Sequence, residues 1–354
     1  MAEGIDFRVN SLNTFRLLAA LQVLWGHTLT HLELSNIPIL GDFIGFFSGV
    51  PVFFTLSGFL IWQSIGRSKT FGEYARRRFW RIYPELWLAV AVEVVVLLVL
   101  YNHTIDWLLM GLFTFGQATI FQFWTPDFLR GYGCGCPNGA LWTITVLIQF
   151  YLCAYFVHKW LRGCRPLVWG GVILTFVVIA WLTPYIISHL PETLGKLYGV
   201  SLIPYFWMFL TAAFASEYKD KAISFLRKYW WLIIVLLLIK RYVLHWDVRF
   251  SLYYLFDTVM LFSGLVGFAY AVPQVNIRTD ISYGVYIYHM TIVNALIALG
   301  FIGQSWTLWF VICTTTLLAW ISTVTIGKYS QRRKRCYSVQ DQVRANDNID
   351  KVNV

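Results

Sequence analysis

Residues 106–123 read DWLLMGLFTFGQATIFQF, and whether this stretch crosses a membrane decides how the whole chain is threaded. Around it lie ten other apolar runs, at about 13–31, 43–65, 84–101, 140–160, 167–187, 200–217, 230–246, 252–271, 283–301 and 304–326. A spanning helix needs about 20 apolar residues, so ten spans occupy roughly 200 residues and leave only short loops. Loop charge then arbitrates, because cytoplasmic loops carry an excess of Lys and Arg. If 106–123 stays on the outer side and the N-terminus is cytoplasmic, the positions Arg67 to Arg81, Arg162, Arg165, Lys219 to Lys228, Arg278 and Lys328 to Arg335 all fall inside. Outside remain Arg130, Lys196 and Arg249. A crossing at 106–123 would reverse every later loop and export the RRKR tail. The sequence therefore predicts an all-α polytopic membrane protein with ten transmembrane helices and both termini cytoplasmic. The 106–123 stretch, broken by Gly111 and Gly116, becomes a re-entrant or interfacial segment before the fourth span, packed against protein.

Composition excludes the soluble classes. Of 354 residues, 58% are apolar and 13% charged, against about 25% charged in a soluble domain, and the mean hydropathy is +0.60. That rules out a cytosolic enzyme. The net charge of +10 comes in small groups between apolar runs, so it is read as topology and not as a nucleic-acid surface. Arg16 interrupts the first run and no small-residue cleavage site follows, so no cleavable signal peptide is expected. Residues 1–327 form the expected membrane domain. Residues 328–354 read as a basic, then polar, disordered cytoplasmic tail. The six cysteines show no CxxC pair and no zinc-type spacing, so no metal is expected. A disulfide between Cys134 and Cys136 would be strained, and unpaired thiols are favoured there.

Ionisable groups inside apolar helices are costly unless paired or hydrated, which makes each a functional candidate. In TFRLLAALQVLWGHTLTH (14–31), Arg16 and His27 share one helix face about 16 Å apart along the axis. Arg16 lies near the inner interface and His27 in the outer half. A snorkelling arginine and a packed histidine account for the same residues. His31 pairs with His27 at i,i+4, but no HExxH pattern or third ligand accompanies it. In FGEYARRRFWRIYP (71–84), the spacing puts Arg77, Arg78 and Arg81 on one face of an interfacial amphipathic helix, with Pro84 opening the first turn of the third span. Such a helix serves either as a lipid anchor or as a site for a ligand with several phosphates, which guanidinium binds bidentately. Glu93 in the third span needs a partner. Lys240 and Arg241 in the seventh span, Asp257 in the eighth and His289 in the ninth are further polar residues at depth, readable as structural ion pairs and a packed histidine.

Several stretches together resemble the membrane-bound acyltransferase-3 family, the bacterial O-acyltransferases of surface sugars. They are Arg16 and His27 with ten residues between them, FFTLSGFLI (53–61), RRFWRIYP (77–84), NGALWTITVLIQFY (138–151) and ISYGVYIYHM (281–290). The resemblance spans about residues 11–326 and corresponds to the stand-alone membrane form. It implies ten helices, acyl-coenzyme A (commonly acetyl-CoA) as donor substrate from the cytoplasm, and a hydroxyl of a cell-surface or lipid-linked glycan as acceptor. It casts His27 as catalytic, with Arg16, Arg77, Arg78 and Arg81 as the important basic residues. One departure stands out. The family pattern W-[ST]-x-x-V-E places a glutamate where this chain has Leu147, although Trp142 and Thr143 are in place.

The expected chemistry is acyl transfer in the bacterial inner membrane, with His27 as general base or as a covalent acyl carrier. Arg77, Arg78 and Arg81 would hold the donor, and Glu93 would replace the carboxylate missing at 147. Aromatics such as Trp25, Trp124, Trp142 and Trp306 would hold the sugar. Membrane lipids and a homodimer partner fit the same surface. Two other classes stay open: a transporter or flippase for a lipid-linked glycan, and a catalytically silent protein in which Leu147 is the disabling change.

Overall fold

Each of the ten apolar runs forms a helix in the computed structural model, which describes residues 9–244, 252–277 and 279–329 together with Phe7. Beyond Tyr329 the expected tail lies outside the described residues, as do Arg249 and Arg278. The helices are α1 (Leu12–His31), α2 (Leu40–Gly45), α3 (Gly49–Gly66), α4 (Phe71–Leu100), α5 (Trp107–Ala118), α6 (Trp142–Leu161), α7 (Pro166–His189), α8 (Glu192–Gly199), α9 (Phe206–Glu217), α10 (Lys219–Leu238), α11 (Leu252–Ala271), α12 (Ser282–Ala298) and α13 (Trp306–Ser322). Among the described residues there is no strand. Their starts follow ordinary capping chemistry. The Thr70 side chain accepts from the Glu73 amide at the head of α4, and Asp106 accepts from the Leu109 amide at the head of α5.

Seven segments are long and apolar enough to cross a membrane: Leu40–Gly66, Phe71–Leu100, Gly139–Leu161, Pro166–His189, Lys219–Val243, Tyr254–Ala271 and Trp306–Gly327. The three remaining runs fall outside that set, α9 and α12 because they have only 12 and 17 residues, and α1 because polar side chains interrupt its apolar run. The two short ones are largely enclosed by protein. In α12, 13 of 17 residues are buried, and in α9, 8 of 12. A helix wrapped by protein can carry polar side chains that lipid would penalise, and α1 carries Arg16, His27 and His31. At the periphery, α7 and α10 turn most of their apolar side chains outward. The 12-residue α5 is about 18 Å long, short of the roughly 30 Å of a bilayer's hydrocarbon core.

One expectation is corrected. The basic stretch and the third span form a single helix of 30 residues with Pro84 inside it, so Pro84 does not restart the chain. Proline here removes one amide donor, a loss that neighbouring groups can absorb in a membrane helix. The basic face is thereby rigidly continuous with the segment that carries Glu93.

Three large cores hold the bundle, and a smaller one packs α5 against the end of α4. One joins α1, α4, α6, α12 and α13, a second α3, α6, α7 and α9, and a third α1, α3, α10 and α11. Close approach depends on particular glycines. A Cβ on Gly58, in FFTLSGFLI, would lie 2.2 Å from the Phe209 carbonyl oxygen, and one on Gly284, in ISYGVYIYHM, would lie 2.7 Å from the Ala319 Cα. Only glycine lets α3 meet α9, and α12 meet α13, at these crossings.

Candidate active site

Three helices converge on one carboxylate. Arg16 of α1 donates from Nη1 to Asp280 Oδ2 at 2.6 Å, and Arg81 of α4 donates from Nη2 to the same oxygen at 3.0 Å. Oδ1 accepts from the Ser282 amide at 3.1 Å and from the Ser282 hydroxyl, at the start of α12. Burial alone would push the Asp280 carboxyl up, but the guanidiniums of Arg16 and Arg81 overcome this and hold it well below the usual carboxylate range. The other two predicted donor arginines go elsewhere. Arg77 pairs with Glu73. Arg78 bonds the Ser64 hydroxyl and lies over the rings of Tyr74 and Tyr151, 5.6 and 5.5 Å from their centroids.

Arg16 and Arg81 line a cavity together with Tyr151, Thr143, Leu147 and Tyr286. Thr143 and Leu147, one turn apart on α6, both line it with Arg16. The opposite wall is closed by Phe53 of α3, whose ring meets Tyr286 edge-on at 5.2 Å and 74°.

Behind Tyr286 lies a histidine pair. His27 Nδ1 is 2.9 Å from His289 Nε2, and His289 Nδ1 is 2.7 Å from the Tyr286 carbonyl oxygen. His289 is fully buried, whereas His27 is only partly so. The segment NGALWT fastens this part of α12: Asn138 donates to the Ile287 carbonyl at 2.9 Å, and the Tyr286 hydroxyl lies 2.7 Å from Thr143 Oγ1 and donates to the Ala140 carbonyl at 3.0 Å. The His31 ring lies 5.7 Å from that of His27. Among the described residues no three or more His, Cys, Asp or Glu groups come together as a metal site requires.

The remaining candidates divide. Trp142 packs between the rings of Phe54 and Tyr205, next to the cavity. Lys240 and Arg241 both donate to Asp257 Oδ1 at 2.9 Å, and Arg241 also donates to the Phe46 carbonyl at 2.6 Å. This buried cluster ties the turn after α10 to α11 and to the residues just before α3, and none of its three charged residues lines the cavity. Glu93 is 1% exposed, and neither carboxylate oxygen has a hydrogen-bond partner. It makes no hydrogen bond to His27 or Arg16. Trp25 is buried and donates from Nε1 to Asn36 Oδ1 at 3.2 Å. Trp124 and Trp306 are exposed.

Sequence reading missed Asp280 and Tyr286. An aspartate two residues before a helix looks like a cap, and nothing local indicates that two arginines from distant helices would reach it.

No solved structure matches the chain. It is similar to nodulation protein 10 of Rhizobium leguminosarum bv. viciae, with 29% identity over 333 residues, covering 85% of this chain and 87% of that protein. A family model described as an acyltransferase domain matches residues 9–325, which takes in α1 through α13 and every residue of the arginine–aspartate cluster, the cavity and the histidine pair. This chain therefore belongs to the acyltransferase-3 family of membrane acyltransferases.

Proposed function

We propose that the protein transfers an acyl group, most simply acetyl, from cytoplasmic acyl-coenzyme A to a hydroxyl of a cell-surface or lipid-linked glycan, in a bacterial inner membrane that it crosses ten times with both termini inside. The observation that carries this reading is the arrangement along α1. Arg16 joins Arg81 in the lining of a cavity, and His27, three turns on and outside that lining, lies against a second histidine. Coenzyme A has its phosphates at one end and its thioester at the end of a long flexible arm. A basic cavity lining and an imidazole three turns along α1 suit both ends.

In this mechanism Arg16 and Arg81, with Arg78 adjoining, hold phosphate oxygens by charge-assisted bonds. The mainly apolar wall of Val50, Phe53, Ile144 and Leu147 takes the arm. His27 removes the proton from the acceptor hydroxyl as its oxygen attacks the thioester carbon. The carbon–sulfur bond then breaks, and the departing thiolate takes the proton back from His27. Atoms and charge balance with no further reactant. Exposed aromatics such as Trp124 and Trp306 are available on the acceptor side.

A second reading has one specific observation behind it. Leu147 lines the cavity beside Arg16, where the family carries a carboxylate, and a protein disabled there would be silent. The experiment is acetyl transfer from labelled acetyl-CoA to cell-envelope glycan by the purified full-length protein in lipid nanodiscs. Label in the glycan with stoichiometric release of coenzyme A thiol supports the enzyme. Intact thioester in the presence of bound donor supports the silent reading.

A further inference from the structure

We propose that His289 is a positioning residue that fixes His27 as its Nδ1–H tautomer and so reserves His27 Nε2 as the atom that accepts the proton. The proposal rests on the acyl-transfer reading above for its consequence, and on hydrogen-bond geometry alone for its structure.

The chain of donors and acceptors has one orientation for neutral rings. A backbone carbonyl can only accept, so the 2.7 Å contact between His289 Nδ1 and the Tyr286 oxygen requires the proton to be on Nδ1. The other nitrogen of a neutral imidazole is then an acceptor. His289 Nε2 therefore presents a lone pair to His27 Nδ1, 2.9 Å away, and His27 Nδ1 must be the donor. That leaves the lone pair of His27 on Nε2, across the ring from the contact.

The alternative orientation needs His289 as an imidazolium donating from both nitrogens. His289 has no exposed surface, and no acidic side chain bonds it. A charge there would be buried and uncompensated, which is far costlier than a neutral hydrogen bond. The scaffold around the pair makes the orientation rigid. Asn138 grips α12 at the Ile287 carbonyl, and the Tyr286 hydroxyl is bonded to Thr143 and Ala140. Tyr286 thus has two uses: its hydroxyl is tied to α6 beside the cavity, and its carbonyl sets the proton position of the histidine pair. The arrangement resembles other catalytic histidines only in its logic, in which a group behind the ring chooses the tautomer. Here the group is a second imidazole backed by a carbonyl, so no negative charge is placed in the membrane interior.

The test reads the tautomer directly. The full-length protein, labelled with 15N in its histidine rings and reconstituted in nanodiscs, is studied by two-bond 15N–1H correlation, and the His27 signals are assigned by their loss in His27→Gln. The expected pattern is Nδ1 protonated and Nε2 unprotonated. His289→Phe, which keeps ring volume but offers no acceptor, is expected to lose that pattern and to lower kcat by roughly 10²-fold, with KM for acetyl-CoA within about twofold of the parent. His289→Gln, whose side-chain oxygen can still accept from Nδ1–H, is expected to restore the tautomer and much of kcat. A parent spectrum with Nε2 protonated overturns the proposal, as does a His289→Phe protein with parental kcat. Because the spectrum needs no turnover, failure of the base assignment is distinguishable: His27→Ala would then transfer at the parental rate whatever tautomer is seen.

Discussion

Arg16 and Asp280, 264 residues apart in sequence, form a 2.6 Å ion pair that closes the N-terminal end of α1 against the start of α12. Arg81 shares the same carboxylate oxygen, so one negative charge holds together three helices and two arginines that line the cavity. Removing it leaves two guanidiniums facing each other.

Asp280→Ala is therefore expected to destabilise the protein by about 2 kcal/mol, below the range for fully buried pairs because both partners keep some solvent contact. Thermal unfolding in detergent would show it, and Arg16→Ala with Asp280→Ala would cost less than the sum of the two. The sign of the pH dependence follows from the carboxyl lying below its ordinary value. Its contribution is fully present above about pH 4 and is lost as the pH falls toward the folded-state value. The stability gap between the parent and Asp280→Asn should be constant from pH 8 to pH 5 and shrink only in stronger acid.

Leu147 and Thr143 face the cavity with Arg16. Leu147→Glu would place a carboxylate among these arginines at the position the family pattern assigns to one. Acyl transfer is expected to rise by roughly tenfold, equivalent to about 1.4 kcal/mol in the barrier, or to appear where the parent shows none. Equal rates for both proteins, on the same glycan, would remove position 147 from the chemistry.

Gly58 is a packing test independent of activity. With the Phe209 carbonyl oxygen 2.2 Å from where a Cβ would lie, Gly58→Ala forces α3 from α9 and should cost roughly 1–3 kcal/mol. Gly72→Ala, where nothing lies within 4 Å, is the control and should be neutral or slightly stabilising by helix propensity. A matching pair of unfolding curves would refute the close crossing.

Much of this molecule is legible in its sequence, and the reasons are physical. Apolar runs mark helices because lipid and core both exclude polar side chains, and GFLI and SYGVY mark crossings where only a glycine fits. Arg16 and His27 stand out because charge and imidazole are rare at depth. The partners were less legible. Asp280 precedes a helix and looks like an ordinary cap, and the contact of His289 with His27 is made across 262 residues, a distance that no local pattern reports. Arg77, Arg78 and Arg81 share a face by spacing, but their side chains diverge to Glu73, to Ser64 and the tyrosines, and to Asp280. Periodicity sets the direction of a side chain and leaves its partner undetermined. Glu93 is the reverse case, conspicuous in sequence and without a hydrogen-bonding partner in the fold.

The central claim is that His27 moves the proton in acyl transfer, and the most direct measurement is the rate at which labelled acetyl passes from acetyl-CoA to cell-envelope glycan in nanodiscs containing either the parent or His27→Ala, with acetyl-CoA binding measured on the same samples. The account predicts that His27→Ala binds donor as the parent does and transfers roughly 10²–10⁴-fold more slowly; transfer by His27→Ala at the parental rate would contradict it.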